Sequence, residues 1–167
     1  MKTGARGLAL IKKKELFMAK AYYCPAHILT IGYGHVIAAN EPHLKQAVLT
    51  EAEASALLCR DVLRYEKAVL RGTEGAKLTQ NQFDACVCLC YNIGEAGFEK
   101  SSVARLISAR AGEAAIRGAW SLWNKMDGTR NRRDDDKDGL IDEPGEKQVA
   151  AGLVTRRKEE ADLFFLK

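Results

Sequence analysis

Two capping boxes fix where two helices begin. In Thr50-Glu51-Ala52-Glu53 and Thr79-Gln80-Asn81-Gln82 the threonine hydroxyl accepts from the backbone N–H three residues on, and the Glu or Gln reaches back to the capping N–H. The first helix runs to about Arg71, before Gly72; the second is apolar and ends near Asn92-Ile93-Gly94. Helical patterns also cover 5–14, 101–110, 112–124 and 155–166. Strand chemistry gathers in one place. Ile28-Leu29-Thr30-Ile31 is apolar and β-branched and runs into Gly32-Tyr33-Gly34, where glycine supplies the positive φ of a tight hairpin. Cys24-Pro25-Ala26 stands before it, and Asn40 to His43 reads as loop. One small β-hairpin region followed by many helices means an α+β fold with a helical lobe.

The 167 residues are enough to bury a core without metals or disulfides. No apolar run approaches the roughly 20 residues of a membrane span. Gly7-Leu8-Ala9-Leu10-Ile11 is cut off by Lys12-Lys13-Lys14, too early for a signal peptide, so synthesis in the cytoplasm with outside help for export is expected. The five cysteines, Cys24, Cys59, Cys86, Cys88 and Cys90, do not form a disulfide framework on this reading. Cys86-x-Cys88-x-Cys90 is spread around a helix, with only Cys86 and Cys90 sharing a face, and reads as small hydrophobes rather than a metal cluster. The net charge of +4 is uneven: residues 134–147 hold seven acids and two lysines, leaving 24 basic and 15 acidic residues elsewhere. That remainder should attract a polyanion.

Glu15 is followed nine residues later by Cys24, then six later by Thr30, just before Ile31-Gly32-Tyr33-Gly34-His35. This arrangement resembles the phage lysozymes of glycoside hydrolase family 24. Leu78-Thr79-Gln80-Asn81-Gln82-Phe83-Asp84-Ala85 and Tyr91-Asn92-Ile93-Gly94 resemble that family's central helix. Trp123-Asn124-Lys125 and Gly152-Leu153-Val154-x-Arg156-Arg157-x-x-Glu160 resemble its last elements. The resemblance implies one lysozyme-like catalytic domain over 1–167. Its β-hairpin lobe would span about 15–45 and its helical lobe about 50–167, with the active site in the cleft between them. It also implies an endolysin muramidase that hydrolyses the β-1,4 bond between N-acetylmuramic acid and N-acetylglucosamine in bacterial peptidoglycan.

Under that resemblance Glu15 is the general acid that protonates the leaving oxygen. A general acid must hold its proton near neutral pH, which calls for a shielded setting. Lys12 matches a basic residue usual in the family, whereas Lys14 is unusual, and an added cation beside the acid opposes the protonated form. Cys24 takes the place of an aspartate or cysteine; a thiol is mostly uncharged at neutral pH and copies a carboxylate poorly. Thr30 matches the residue that orients the attacking water, and it is also an ordinary strand residue. His35 pairs with Asp61 on the following helix, pinning the two lobes together. Asn92 and Trp123 match substrate-binding positions in the cleft and serve equally well as packing residues. Leu16 stands where the family has glycine, and Leu29 where it has an aromatic. Leu16, Lys14 and Cys24 leave room for a second reading, a catalytically impaired lysozyme-like peptidoglycan-binding or toxin module.

Between Trp123 and Gly152 the chain carries an acidic insert, about 127–148, that reads like the first half of an EF-hand loop. Asp134, Asp136, Asp138, Asp142, the Leu140 carbonyl and one of Glu143 or Glu146 are the expected calcium ligands. Gly145 falls where the closing glutamate belongs, and a solvated acidic loop flanked by Arg130, Arg132 and Arg133 is the alternative. The chemistry itself requires no cofactor. The expected partner is peptidoglycan, reached through a holin-type export route to the periplasmic face of the wall. A monomer is expected, with neither a nucleic-acid partner, for which no motif is present, nor a membrane span.

Overall fold

The computed structural model describes residues 1–24, 27–127 and 147–167. Helix α1 (Ala5–Glu15) is followed by strands β1 (Met18–Tyr23), β2 (Leu29–Gly32) and β3 (His35–Val36), then a short 3-10 turn at Pro42–Lys45. Helices α2 (Glu51–Gly72), α3 (Gln80–Ile93), α4 (Glu95–Glu99), α5 (Ser102–Ser108) and α6 (Glu113–Ser121) come next. Strands β4 (Lys125–Asp127) and β5 (Lys147–Val149) and helix α7 (Ala151–Phe164) complete the chain.

Both capping boxes form, with Thr50 accepting from Glu53 and Thr79 from Gln82. The expected hairpin is the β2–β3 half of a three-stranded antiparallel sheet of order β1-β2-β3. Gly32 and Gly34 have φ of +68° and +86°, the left-handed conformations the turn demands. Strand β1 left no sequence signal because its pairing with β2 is irregular between Met18 and Tyr22 and none of its residues is fully buried. The helix expected over 112–124 stops at Ser121, and the last helix starts at Ala151 rather than 155. A two-stranded antiparallel sheet, Lys125↔Val149 to Asp127↔Lys147, closes the base of the insert. The expected calcium ligands Asp134, Asp136, Asp138, Leu140, Asp142, Glu143 and Glu146 lie outside the described residues. No cluster of metal-ligating side chains occurs among the described ones.

Helix α3 is the centre of the molecule. Every residue from Phe83 to Cys90 is buried, because α1, α2, α4 and α7 pack around it. A helix enclosed on all sides needs apolar residues all round, and this is why Cys86, Cys88 and Cys90 are buried at alternate positions. Burial pushes all three thiols up, Cys90 to about 12, so they are inert uncharged sulfurs.

Helix α1 is locked on α3 at its first turn. Its capping residue Gly4 offers no side chain, and Asp84 of α3 supplies the cap instead. The Asp84 carboxylate accepts from Gly4 N at 2.8 Å and Gly7 N at 3.1 Å, satisfying N–H groups that a helix start leaves open. A Cβ at Gly7 would stand 2.9 Å from Asp84 Cβ, so only glycine permits this approach. Glu66 of α2 holds the preceding residue, accepting from both Thr3 N and Thr3 Oγ1 at 2.7 Å. These anchors at one end of α1 fix where its other end, Glu15, is delivered.

Candidate active site

Glu15 is the last residue of α1, and its side chain is 22% exposed. The next residue leaves the helix with φ 59° and ψ 158°, a region occupied essentially by glycine alone. Leu16 therefore occupies a strained position where the family's glycine would not be strained.

The carboxylate lies where the β2–β3 turn, α3 and α7 meet. A Cβ on Gly34 would stand 3.5 Å from Glu15 Oε2 and 3.6 Å from the Tyr91 hydroxyl, which places the turn against the acid. Tyr91 donates to the Tyr33 carbonyl at 2.7 Å and so ties that turn to α3. Burial, then the Asp61 and Glu15 carboxylates, push the Tyr91 phenol up, so it remains a neutral donor. On the α7 side, Arg156 Nη2 stands 2.8 Å from Glu15 Oε1.

Behind this pair is a buried charge cluster. Glu160 has no exposed surface. Its Oε1 takes Arg156 Nε at 3.0 Å and Arg157 Nη2 at 3.3 Å, and its Oε2 takes Trp120 Nε1 at 3.0 Å. Burial raises the Glu160 carboxyl above its usual range, against the pull of Arg157 and Arg156. Burial also works against the charge on Arg156, but Glu15 and Glu160 more than offset it and hold the guanidinium firmly protonated. Arg157 Nη2 donates to Asn92 Oδ1 at 2.6 Å, so a chain of contacts runs from the acid through α7 to the end of α3.

The lysines that crowd Glu15 in sequence have other partners. Lys12 lies over the Tyr33 ring, 5.4 Å from its centroid. Lys13 and Lys14 each reach an oxygen of Glu159 at 3.0 Å. The Lys14 side chain is only 14% exposed, its ammonium held by Glu159 rather than by open solvent.

Cys24 lies just past the end of β1. Its backbone N–H donates to the Ile28 carbonyl at 3.0 Å and its carbonyl accepts from His27 N at 2.8 Å. Thr30 is buried in β2, opposite Tyr22 of β1 and Val36 of β3. Its hydroxyl donates to the Ile28 carbonyl at 2.9 Å, which spends its proton and leaves its lone pairs to accept. Tyr22, across the β1–β2 pairing from Thr30, has its phenol raised by burial first and then by Glu15 and Cys24.

His35 Nδ1 stands 2.8 Å from Asp61 Oδ2, and Nε2 stands 2.9 Å from Glu41 Oε2. Glu41 also takes Arg60 Nη2 at 2.6 Å. The imidazole is fully engaged between two carboxylates, an arrangement that fastens the sheet to α2 and leaves no ring nitrogen for proton transfer. Asn92 is exposed at the end of α3, its oxygen committed to Arg157. Trp123 is half-buried beside Gly97, packed against the core. Sequence reading did not assign Tyr22, Glu41, Tyr91, Arg156 or Glu159 to the site. Arg156 stood in a quoted motif, and its proximity to Glu15 was invisible because 141 residues separate them.

A phage lysozyme family model matches residues 12–160. The chain belongs to the phage lysozyme family. An endolysin of Acyrthosiphon pisum secondary endosymbiont phage 1 is 32% identical over 166 residues, 98% of each chain. Among solved structures, the muramidase domain of SpmX from Asticaccaulis excentricus superposes with a TM-score of 0.81 at 32% identity, covering 99% of both chains. The endolysin from Escherichia coli O157:H7 phage FAHEc1 gives 0.80 at 30%, covering 99% of this chain and 94% of its own. The lysozyme-like α+β fold, a small antiparallel sheet beside a helical lobe, is therefore that of the family.

Proposed function

We infer that the protein is an endolysin muramidase that hydrolyses the β-1,4 bond between N-acetylmuramic acid and N-acetylglucosamine of bacterial peptidoglycan. The observation that carries this reading is the Glu15 carboxylate, part-exposed between the β2–β3 turn, α3 and α7. Glu15 protonates the leaving glycosidic oxygen as the bond breaks. Thr30, its hydroxyl proton already used, accepts a hydrogen from the attacking water and orients it. Cys24 assists by position and partial charge rather than by covalent thiol chemistry, and Asn92 and Trp123 meet the sugars. Lys14, which sequence alone sets against catalysis, is held by Glu159, and the cation that meets Glu15 is Arg156 instead.

The test is digestion of purified peptidoglycan with the products identified by mass. Wild type releases muropeptides with new reducing ends, and folded Glu15→Gln releases none, since an amide cannot donate the proton. Cys24→Asp remains active and Cys24→Ala is clearly weaker; lysis by Glu15→Gln at the wild-type rate overturns the assignment.

Two further parts of the reading rest on sequence. The protein is made in the cytoplasm and works as a monomer on the wall, which it reaches by a holin-type route; among the described residues no helix is long and apolar enough to cross a membrane. The D-x-D-x-D-G run at Asp134–Gly139 binds calcium and modulates the enzyme, with weak affinity, on the order of 10⁻⁴ M, because the loop is incomplete. Calorimetric titration with calcium tests this, and no heat and no change in Tm at millimolar calcium rules it out.

A further inference from the structure

Arg157 is a buried cation with more donors than partners. Its side chain is 2% exposed. Nη2 donates to Asn92 Oδ1 at 2.6 Å and stands 3.3 Å from Glu160 Oε1. Nε and Nη1, which carry three N–H bonds between them, have no hydrogen-bond partner among the described residues. Glu160 is itself shared with Arg156. Burial acts first against the positive charge of Arg157, and Glu160 does not fully offset it. Folded proteins rarely leave buried polar groups unmatched, and a charged donor left so costs more than a neutral one.

The same residue forms part of the wall of a pocket of about 230 Å³ between α6 and α7. Val154, Arg157, Lys158 and Ala161 reach this pocket from one face of α7, at spacings of three, four and seven residues. At 3.6 residues per turn, Val154, Lys158 and Ala161 lie on the side of α7 opposite Arg156, which meets Glu15. The pocket is therefore separate from the surroundings of the acid. Arg117 also lines it, but its charge is committed to Glu113 and Asp162. Lys158 is exposed and makes no ion pair among the described residues. A buried guanidinium, an uncommitted ammonium and apolar side chains thus share one small space.

We propose that this pocket binds a small carboxylate carried on a short apolar body. The carboxylate accepts from the unused Arg157 N–H groups and from Lys158, and the body packs on Val154 and Ala161. Hydrogen bonds between a guanidinium and a carboxylate are among the strong ones. A doubly charged phosphate fits less well, because apolar walls would desolvate it without supplying donors for its other oxygens. With Arg157 so well covered, entry requires Lys158 to turn aside, a rotation that exposed side chains make within nanoseconds. The volume falls below the roughly 300–1,000 Å³ of sites for drug-sized ligands, so the ligand is a small one.

The test is calorimetric titration of the full chain with butyrate at neutral pH, with butyramide and inorganic phosphate as controls. Ionic strength is held constant, so that screening does not differ between them. Butyrate should bind once per chain with a Kd on the order of a millimolar, modest for so few atoms. Butyramide has the same shape without the charge, and it should bind at least about tenfold more weakly. The side-chain Nε–H resonance of Arg157 should shift along the same butyrate isotherm. Lys158→Gln should weaken butyrate about two- to fivefold, the range for one exposed charge pair. Arg157→Gln should abolish binding, with Tm measured alongside because the change also breaks the contacts to Asn92 and Glu160. If that variant does not fold, the Arg157 resonance and Lys158→Gln still decide. Equal binding of butyramide means a merely apolar pocket, and tighter binding of phosphate means a bare oxyanion site. Either overturns the proposal, as does butyrate binding that moves neither the Arg157 resonance nor the Lys158→Gln affinity. No heat at tens of millimolar butyrate overturns it as well.

Discussion

Lys14 Nζ stands 3.0 Å from Glu159 Oε1, so the cation adjacent in sequence to Glu15, the proposed general acid, is held on α7. Glu159 takes Lys13 through its other oxygen. The Lys13 hydrogen bond first, against partial burial, and then Lys14 keep the Glu159 carboxyl below its usual range. It is therefore charged at neutral pH. Without it, Lys14 is released beside Glu15, where its ammonium competes with Arg156 for the carboxylate. Glu159→Gln should cut peptidoglycan hydrolysis several-fold at pH 7. Lys14→Met in the same chain should restore it, because the harm comes from the freed ammonium. A double variant no better than Glu159→Gln contradicts this coupling.

Leu16 offers a stabilising change. Its φ of 59° and ψ of 158° cost about 1–3 kcal/mol for a residue with a side chain, and the side chain is 66% exposed, so little burial is lost on removing it. Leu16→Gly relieves the strain and gives back about 0.5–1 kcal/mol through the freer unfolded chain. A net gain of about 1 kcal/mol in urea unfolding is expected. A destabilised variant would mean that the Leu16 side chain contributes packing that its exposure hides.

The Glu41–His35–Asp61 arrangement should appear in the acid stability of the protein. The hydrogen bond from His35 is the largest influence lowering the Glu41 carboxyl, with Ala38 N and Arg60 acting in the same direction. A carboxyl lowered in the folded state contributes stability that is present above its unfolded pKa, about 4.3. That contribution is lost as pH falls through the lower folded value. Glu41→Gln should therefore lower Tm by about 3 °C at pH 7. The gap to wild type should close as the pH falls below about 4. A gap that persists unchanged at pH 3 would show that Glu41 acts by shape rather than charge.

Glu160 is the carboxylate between two buried guanidiniums. Removing one member of such a cluster leaves the others uncompensated, at a cost of about 3–5 kcal/mol. Glu160→Gln should lose stability of that order by denaturant unfolding. Activity should fall as well, because Arg156 loses the partner that aims it at Glu15. A variant as stable as wild type would show that the cluster relaxes to find other partners.

What the chain determines locally was legible before any coordinates. The capping boxes at Thr50 and Thr79 involve groups three residues apart, and the Gly32-Tyr33-Gly34 turn depends on backbone conformations only glycine adopts freely. The spacing of Glu15, Cys24 and Thr30 pointed to a family, and with it to the fold and the acid. Strand β1 was not legible, because an irregular strand without a buried face leaves no alternation to read. The surroundings of the acid were not legible either. Arg156 reaches Glu15, Glu159 takes Lys14 away and Glu41 completes the clasp on His35 only because α1, α7, α2 and the sheet are packed against one another. A side chain's charge is fixed by its identity, but which charge it meets is set by the packing around α3, and that depends on contacts more than a hundred residues apart.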